Sequence, residues 1–173
     1  IENPIHEIQE TAKKEGQIGA KHPAIPLAAD LYLPVRENSA GLDLADDSVL
    51  KQLNENVQHY VNHTWQTQPL IENLGDEALA EITSLNVHNP SNLNDIVGYV
   101  KEAQLEHIEL ALDNAEKAFE DWNNTNKNQR ANILLKASEI MQSRMQELMV
   151  LLNRESGKTY SNGIAEVREA IDF

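Results

Sequence analysis

Three carboxylates near the C-terminal end of the chain, Glu166, Glu169 and Asp172, are spaced three residues apart. On a helix this spacing places the side chains on one face. Acid–base chemistry would require burial of such carboxylates, whereas a row of this kind is usually solvated. By itself, the row predicts an exposed acidic face.

Residues 156–159, with the sequence SGKT, resemble the end of a phosphate-binding loop. That loop needs a glycine five residues before Gly157, and Leu152 stands there instead. It also follows a strand, whereas a helix is predicted here. We therefore interpret the segment as the end of one helix and the start of the next.

His59 and His63 are four residues apart, a spacing that on a helix can bring two imidazoles to one metal ion. The neighbouring sequence offers no convincing third ligand. We predict an exposed helix face and no metal site.

The composition limits the classes of function. The 173 residues carry 28 acidic and 14 basic side chains, a net charge of −14, which disfavours contact with nucleic acid. No apolar run approaches the roughly 18 residues of a membrane span, and the first residues lack the features of a signal peptide, so a cytoplasmic protein is predicted. Cysteine is absent, which excludes disulfides and a cysteine nucleophile within the chain.

The first 44 residues predict a helix and a connector. Asn3 can cap a helix that begins at Pro4 and ends at Gly16 or Gly19. Residues 16–44 lack helical periodicity and contain three prolines, which favour extended backbone. A disordered tail is the alternative, although this segment is richer in apolar side chains than a solvated tail.

The middle of the chain predicts a helix followed by a two-stranded hairpin. Asp46 or Asp47 can cap the helix, whose apolar repeat ends near residues 62–64. Residues 82–87 and 96–100 have the pattern of strands, and turn-forming residues separate them.

Three amphipathic helices are predicted in the C-terminal half. The first runs from about Leu105 to Trp122, and the second begins after Asn126 and continues to Gly157. The third covers about 161–171 and ends without a cap, a glycine or a polar tail, so we expect a fragment of a longer protein. The predicted fold class is a mostly α fragment with a short β-hairpin, whose apolar stripes would be exposed without the rest of the domain.

Two segments resemble a known family. Residues 154–159, RESGKT, and 165–173, AEVREAIDF, are similar to early helices of the aldehyde dehydrogenase superfamily, in the form found in 1-pyrroline-5-carboxylate (glutamate semialdehyde) dehydrogenases. Further matches occur upstream in the same order and spacing, at residues 89–90, 97–100, 115–122 and 129–131. The resemblance implies the N-terminal portion of an α/β aldehyde dehydrogenase fold.

A narrower resemblance covers the first part of the chain. Residues 19–27, 30–32 and 36–44 are similar to the connector of the bifunctional proline utilization A family. In that family the connector joins a proline dehydrogenase barrel to an aldehyde dehydrogenase module. Ala28 and Ala29 depart from the family pattern, which usually has proline and arginine there.

These resemblances imply a parent protein that oxidises proline to glutamate in two steps. FAD accepts the first electron pair, 1-pyrroline-5-carboxylate hydrolyses to glutamate semialdehyde, a cysteine thiolate attacks the aldehyde, and NAD accepts a hydride. Residues 1–45 would be the helix and connector that follow the barrel, and residues 46–173 the truncated N-terminal helical and hairpin part of the dehydrogenase module. The catalytic cysteine and the nucleotide fold would lie after Phe173, so no catalytic or cofactor-binding residue is expected here, and the chain alone is predicted to be inactive.

Glu169 is the substrate-binding candidate that the resemblance implies. In related dehydrogenases a glutamate three residues before the Asp-Phe pair approaches the substrate amino group, and a carboxylate there favours an ammonium-bearing aldehyde. An exposed surface glutamate is the alternative.

The implied partners are the rest of the polypeptide, a small-molecule substrate and further copies in a homo-oligomer. A non-enzymatic helical interaction module is the alternative function.

Overall fold

The computed structural model describes residues 4–16, 22 and 24–173. The chain divides into two compact units, Ile1–Ala40 and Gly41–Phe173. Within the described residues, no helix combines the length and the apolar character needed to cross a membrane.

The first unit begins with the predicted helix. Helix α1 spans Pro4–Lys14, and Gly16 follows it with a φ of +65°, the left-handed conformation in which glycine commonly ends a helix. The predicted cap Asn3 and the alternative end Gly19 lie outside the described residues.

The connector contains consecutive turns where extended backbone was predicted. A short 3-10 helix, Ala28–Asp30, is followed by bonds from the Leu33 N–H to the Asp30 carbonyl at 3.1 Å and from the Val35 N–H to the Tyr32 carbonyl at 3.0 Å. Prolines favour tight turns as readily as extended backbone, which explains the difference.

The second unit contains six helices and three strands. They are α2 (Asp47–Val57), β1 (Trp65–Thr67), α3 (Asp76–Glu81), β2 (Ser84–Asn89), β3 (Asn92–Lys101), α4 (Leu105–Asn124), α5 (Lys127–Ser143), α6 (Met145–Ser156) and α7 (Tyr160–Asp172).

The three strands form one sheet in the order β1-β3-β2. Strand β2 is antiparallel to β3, whereas β1 is parallel to β3 and places Trp65 beside Gly98. A Cβ atom on Gly98 would lie 2.7 Å from the Trp65 carbonyl oxygen, so glycine is needed for this close approach.

The predicted hairpin is confirmed, but its strands differ from the predicted ranges 82–87 and 96–100. Both observed strands extend closer to the turn than the predicted ranges do. The turn is tight because the Asn89 side chain accepts a hydrogen bond from the Ser91 N–H at 2.9 Å. Residues that favour turns are therefore also part of the ladder here.

Helix α2 has the predicted cap. The Asp46 carboxylate accepts a hydrogen bond from the Ser48 N–H at 2.7 Å, which decides between the two aspartates proposed for that role. The predicted end near residues 62–64 is wrong, because α2 ends at Val57. Tighter turns follow, and one of them joins the Tyr60 N–H to the Val57 carbonyl at 2.9 Å.

The single helix predicted between Asn126 and Gly157 is two helices. The break is at Arg144, whose φ of −104° and ψ of 17° are not helical. It allows α6 to direct Met145 and Met149 into the core, while Leu134 on α5 stays exposed.

Two short elements, β1 and α3, were not predicted. Helix α4 continues to Asn124, two residues past the predicted end at Trp122, and α7 begins at Tyr160, close to the prediction.

The core of the second unit lies between α2, α6 and α7, and its buried side chains are Leu53, Val57, Met145, Met149, Val150, Ile164 and Val167.

Candidate functional site

The connection between α6 and α7 sets the direction of the helix that carries the acidic row. Gly157 ends α6 with a φ of +68°, and the Thr159 hydroxyl caps α7 by accepting a hydrogen bond from the Asn162 N–H at 3.3 Å. The SGKT segment is therefore a helix end followed by a helix start, as the sequence predicted. It has no phosphate-loop geometry.

Helix α7 has one buried and one exposed face. Gly163, Ile164 and Val167 are buried, and Gly163 lies directly against Met149 of α6. Glu169 follows Val167 by two residues, which is roughly 200° around a helix. Its side chain is exposed on the face opposite the core.

The three carboxylates of the row have different surroundings. Glu166 forms an ion pair with Lys158. Asp172 is half-buried and has polar interactions of its own. Within the part of the chain that the structure describes, no side chain pairs with Glu169, and its side chain is exposed.

The two histidines do not form a pair on a helix. Both follow the end of α2, and the His63 ring packs edge-on against Trp65, with a centroid distance of 4.7 Å. His59 is exposed. The described residues contain no group of three or more histidine, aspartate or glutamate side chains that could hold a metal ion.

Arg154, in the last turn of α6, is the centre of a buried polar junction. Its side chain is 7% exposed, and its guanidinium forms a bidentate ion pair with Asp95 of β3, at 2.6 and 3.2 Å. It lies 5.5 Å from the centroid of the Trp65 ring. It also donates hydrogen bonds to the backbone carbonyl oxygens of Tyr60, His63 and Ile96.

The pKa of Asp95 is lowered from its ordinary value. The first cause is the hydrogen bond from Arg154, and the second is a hydrogen bond from the Asn89 amide at 3.0 Å. Both donors favour the charged carboxylate. The ion pair therefore stays intact at neutral pH.

A second junction lies at the other end of α6. Glu147 accepts hydrogen bonds from Arg144 at 2.8 and 2.9 Å and from the Trp65 indole N–H at 3.1 Å. These bonds lower the pKa of Glu147, and that from Arg144 has the larger effect. The same pair raises the pKa of Arg144. Helix α6 is therefore tied to β1 near its first turn and to β3 at its last.

Dinucleotide folds bind the pyrophosphate at a glycine-rich turn between a strand and a helix. In the described part of the chain, the connection from β3 to α4 (102–104) has no glycine, and that from β1 to α3 (68–75) has only Gly75. These connections do not fit the pyrophosphate of NAD or FAD.

The comparison with protein families identifies the class. The model of the aldehyde dehydrogenase family matches residues 78–173, more than half of the chain, including the hairpin, α6 and α7. The chain belongs to the aldehyde dehydrogenase family. The predicted fold class is confirmed: a mostly α chain with a short hairpin, forming the N-terminal portion of an aldehyde dehydrogenase fold.

Individual relatives and solved structures show which members of the family this chain resembles. The bifunctional protein PutA of Klebsiella aerogenes is 43% identical over 173 residues, which are 100% of this chain and 13% of that protein. A solved structure of proline utilization A from Bdellovibrio bacteriovorus has a TM-score of 0.71 and 24% identity, covering 88% of this chain and 15% of that one. A 1-pyrroline-5-carboxylate dehydrogenase from Thermus, solved with bound NAD, has a TM-score of 0.68 and 26% identity, covering 87% and 27%. The chain thus spans about an eighth of the length of the first curated relative.

Proposed function

We propose that these 173 residues are the connector and the N-terminal part of the aldehyde dehydrogenase half of a bifunctional enzyme that oxidises proline to glutamate. The observation that carries the proposal is the 43% identity to a bifunctional PutA protein along the whole chain, including the 77 residues before the family match. Residues 1–45 would follow a proline dehydrogenase barrel, and residues 46–173 would begin the dehydrogenase module.

In this proposal the parent enzyme uses FAD for proline oxidation and NAD for oxidation of glutamate semialdehyde. The chain contains no cysteine, and its described residues form no dinucleotide-binding turn. The catalytic thiolate and the binding sites for both cofactors would therefore lie in other parts of the polypeptide. The role of this segment would be to support the module and to form one wall of the aldehyde site. Alone, it would be inactive.

Glu169 would contact the substrate amino group. Its carboxylate is exposed on the outer face of α7 and has no partner among the described side chains, whereas Glu166, one turn earlier, is already paired with Lys158. A free carboxylate attracts an ammonium group and would favour an amino-acid aldehyde over a plain aldehyde.

The test uses the complete polypeptide that contains these residues. We expect NAD reduction with 1-pyrroline-5-carboxylate and proline-dependent reduction of a dye by the flavin half. Glu169→Gln should raise KM for the semialdehyde by roughly 10-fold, the effect of losing one charge-assisted hydrogen bond. Glu166→Gln is the matched control, because that carboxylate already has a partner. Equal kinetics in both variants would contradict the role of Glu169.

The alternative, a helical interaction module without enzymatic ancestry, is disfavoured by membership of the aldehyde dehydrogenase family. A homo-oligomeric state and a cytoplasmic location remain predictions for the parent protein. Size-exclusion chromatography with light scattering and cell fractionation would test them.

A further inference from the structure

Helix α6 is fixed to the sheet at two points that lie on different strands. Near its first turn, Glu147 binds the Trp65 indole of β1 at 3.1 Å. At its last turn, Arg154 binds Asp95 of β3 through two hydrogen bonds. Two separate attachments restrict both sliding of the helix along the sheet and rotation about its own axis.

Helix α7 takes its position from α6. Only a three-residue connection, 157–159, separates the two helices, and the left-handed Gly157 fixes its direction. A Cβ atom on Gly163 would lie 3.5 Å from the Met149 Cγ, so the two helices are in van der Waals contact there. A shift of the α6 end would therefore be transmitted to α7.

We propose that Arg154 is a positioning residue for the substrate amino group, acting through α6 and α7 on Glu169. This inference rests on the proposed function. Arg154 is buried and is bound by one carboxylate and three backbone carbonyls, so it holds the end of α6 that leads into α7. A hydrogen bond weakens steeply with poor geometry, so Glu169 needs this support to contact an ammonium group correctly.

The experiment uses the complete polypeptide and two aldehydes, glutamate semialdehyde and glutarate semialdehyde, which differ only in the amino group. Arg154→Lys should raise KM for the amino aldehyde by roughly 10-fold, well below the ~100-fold that a 1 Å misplacement can cause. KM for glutarate semialdehyde should change by less than about 2-fold, because that substrate does not use Glu169. Lys136→Met, in an exposed ion pair on α5, is the matched control and should leave both values unchanged.

A double-mutant cycle tests the connection to Glu169. In a Glu169→Gln background, Arg154→Lys should add no further change to the ratio of the two KM values. Additive effects, or equal changes with both aldehydes, would overturn the inference. If Arg154→Lys does not fold, Asp95→Asn provides the same test, since it leaves the backbone carbonyl partners of Arg154 in place. A wild-type polypeptide that does not oxidise glutamate semialdehyde would instead refute the proposed function.

Discussion

Arg154 shows how this chain accommodates a buried charge. Burial of an unpaired guanidinium is very costly, so each N–H group needs an acceptor. Here one carboxylate neutralises the charge, and three backbone carbonyls, of Tyr60, His63 and Ile96, accept further hydrogen bonds. Those carbonyls belong to the segment after α2 and to β3, so one side chain connects three parts of the second unit.

Arg154→Met should therefore be strongly destabilising. Methionine preserves much of the apolar volume but removes every hydrogen bond, and we expect a loss of about 2–4 kcal/mol in the free energy of unfolding. Urea unfolding followed by the fluorescence of Trp65, in a Trp122→Phe background, would measure it. Lys136→Met should change stability by less than about 0.5 kcal/mol, because that ion pair is exposed. A similar stability for both variants would contradict this view of the junction.

The carboxylates of the two junctions predict a dependence of stability on pH. The pKa values of Asp95 and Glu147 are lowered in the folded chain, so each stabilises the fold fully above its unfolded pKa of about 4. That contribution is lost as the pH falls through the lower folded pKa. Urea unfolding between pH 7 and pH 3 should show this decline, with a shallower slope for Glu147→Gln than for the wild type. The exposed Glu139→Gln is the control, and parallel curves for all three proteins would contradict the prediction.

At the scale of elements, the contact between β1 and β3 depends on one missing side chain. Gly98→Ala would place a Cβ 2.7 Å from the Trp65 carbonyl oxygen, so the short strand β1 must move away. We expect a loss of about 1–3 kcal/mol and a shift in Trp65 emission. Gly163→Ala is the matched control, because its Cβ would make an ordinary contact of 3.5 Å with Met149. A helical alanine there should be neutral or slightly stabilising. Equal losses of stability from the two substitutions would show that the close approach of β1 to β3 does not require glycine at position 98.

The long elements were predictable because their apolar repeats extend over several turns, as in α4 and α7. Strand β1 was not predictable, because three residues are too few to show a strand-like alternation of apolar and polar side chains. Its parallel partner β3 also lies far along the chain. The break at Arg144 has no proline or glycine to mark it. The exposed position of Glu169 followed from helical spacing, but the Arg154 junction did not, because its partner Asp95 is 59 residues away.

At the scale of the whole molecule, helix α4 carries an exposed apolar stripe. Leu105, Leu112 and Phe119 are 82%, 65% and 65% exposed, and no other helix or strand of the described residues packs along this helix. Acidic side chains surround the stripe and contribute to the net charge of −14. Burying such a stripe would contribute about 1.5–3 kcal/mol for each large side chain, so a partner surface is expected in the complete polypeptide.

The 173-residue chain alone should therefore bind an apolar dye and self-associate at high salt. At low salt, repulsion between negatively charged copies opposes contact of the stripes, and added salt screens that repulsion. Leu112→Glu combined with Phe119→Glu should reduce both dye binding and association, as measured by fluorescence and sedimentation velocity. Leu70→Glu, at a side chain that is 97% exposed and lies outside the stripe, is the control. In the complete polypeptide the double substitution should instead lower thermal stability, because there it would introduce two charges into a buried contact. Unchanged stability of the complete polypeptide would show that the α4 stripe faces solvent there too.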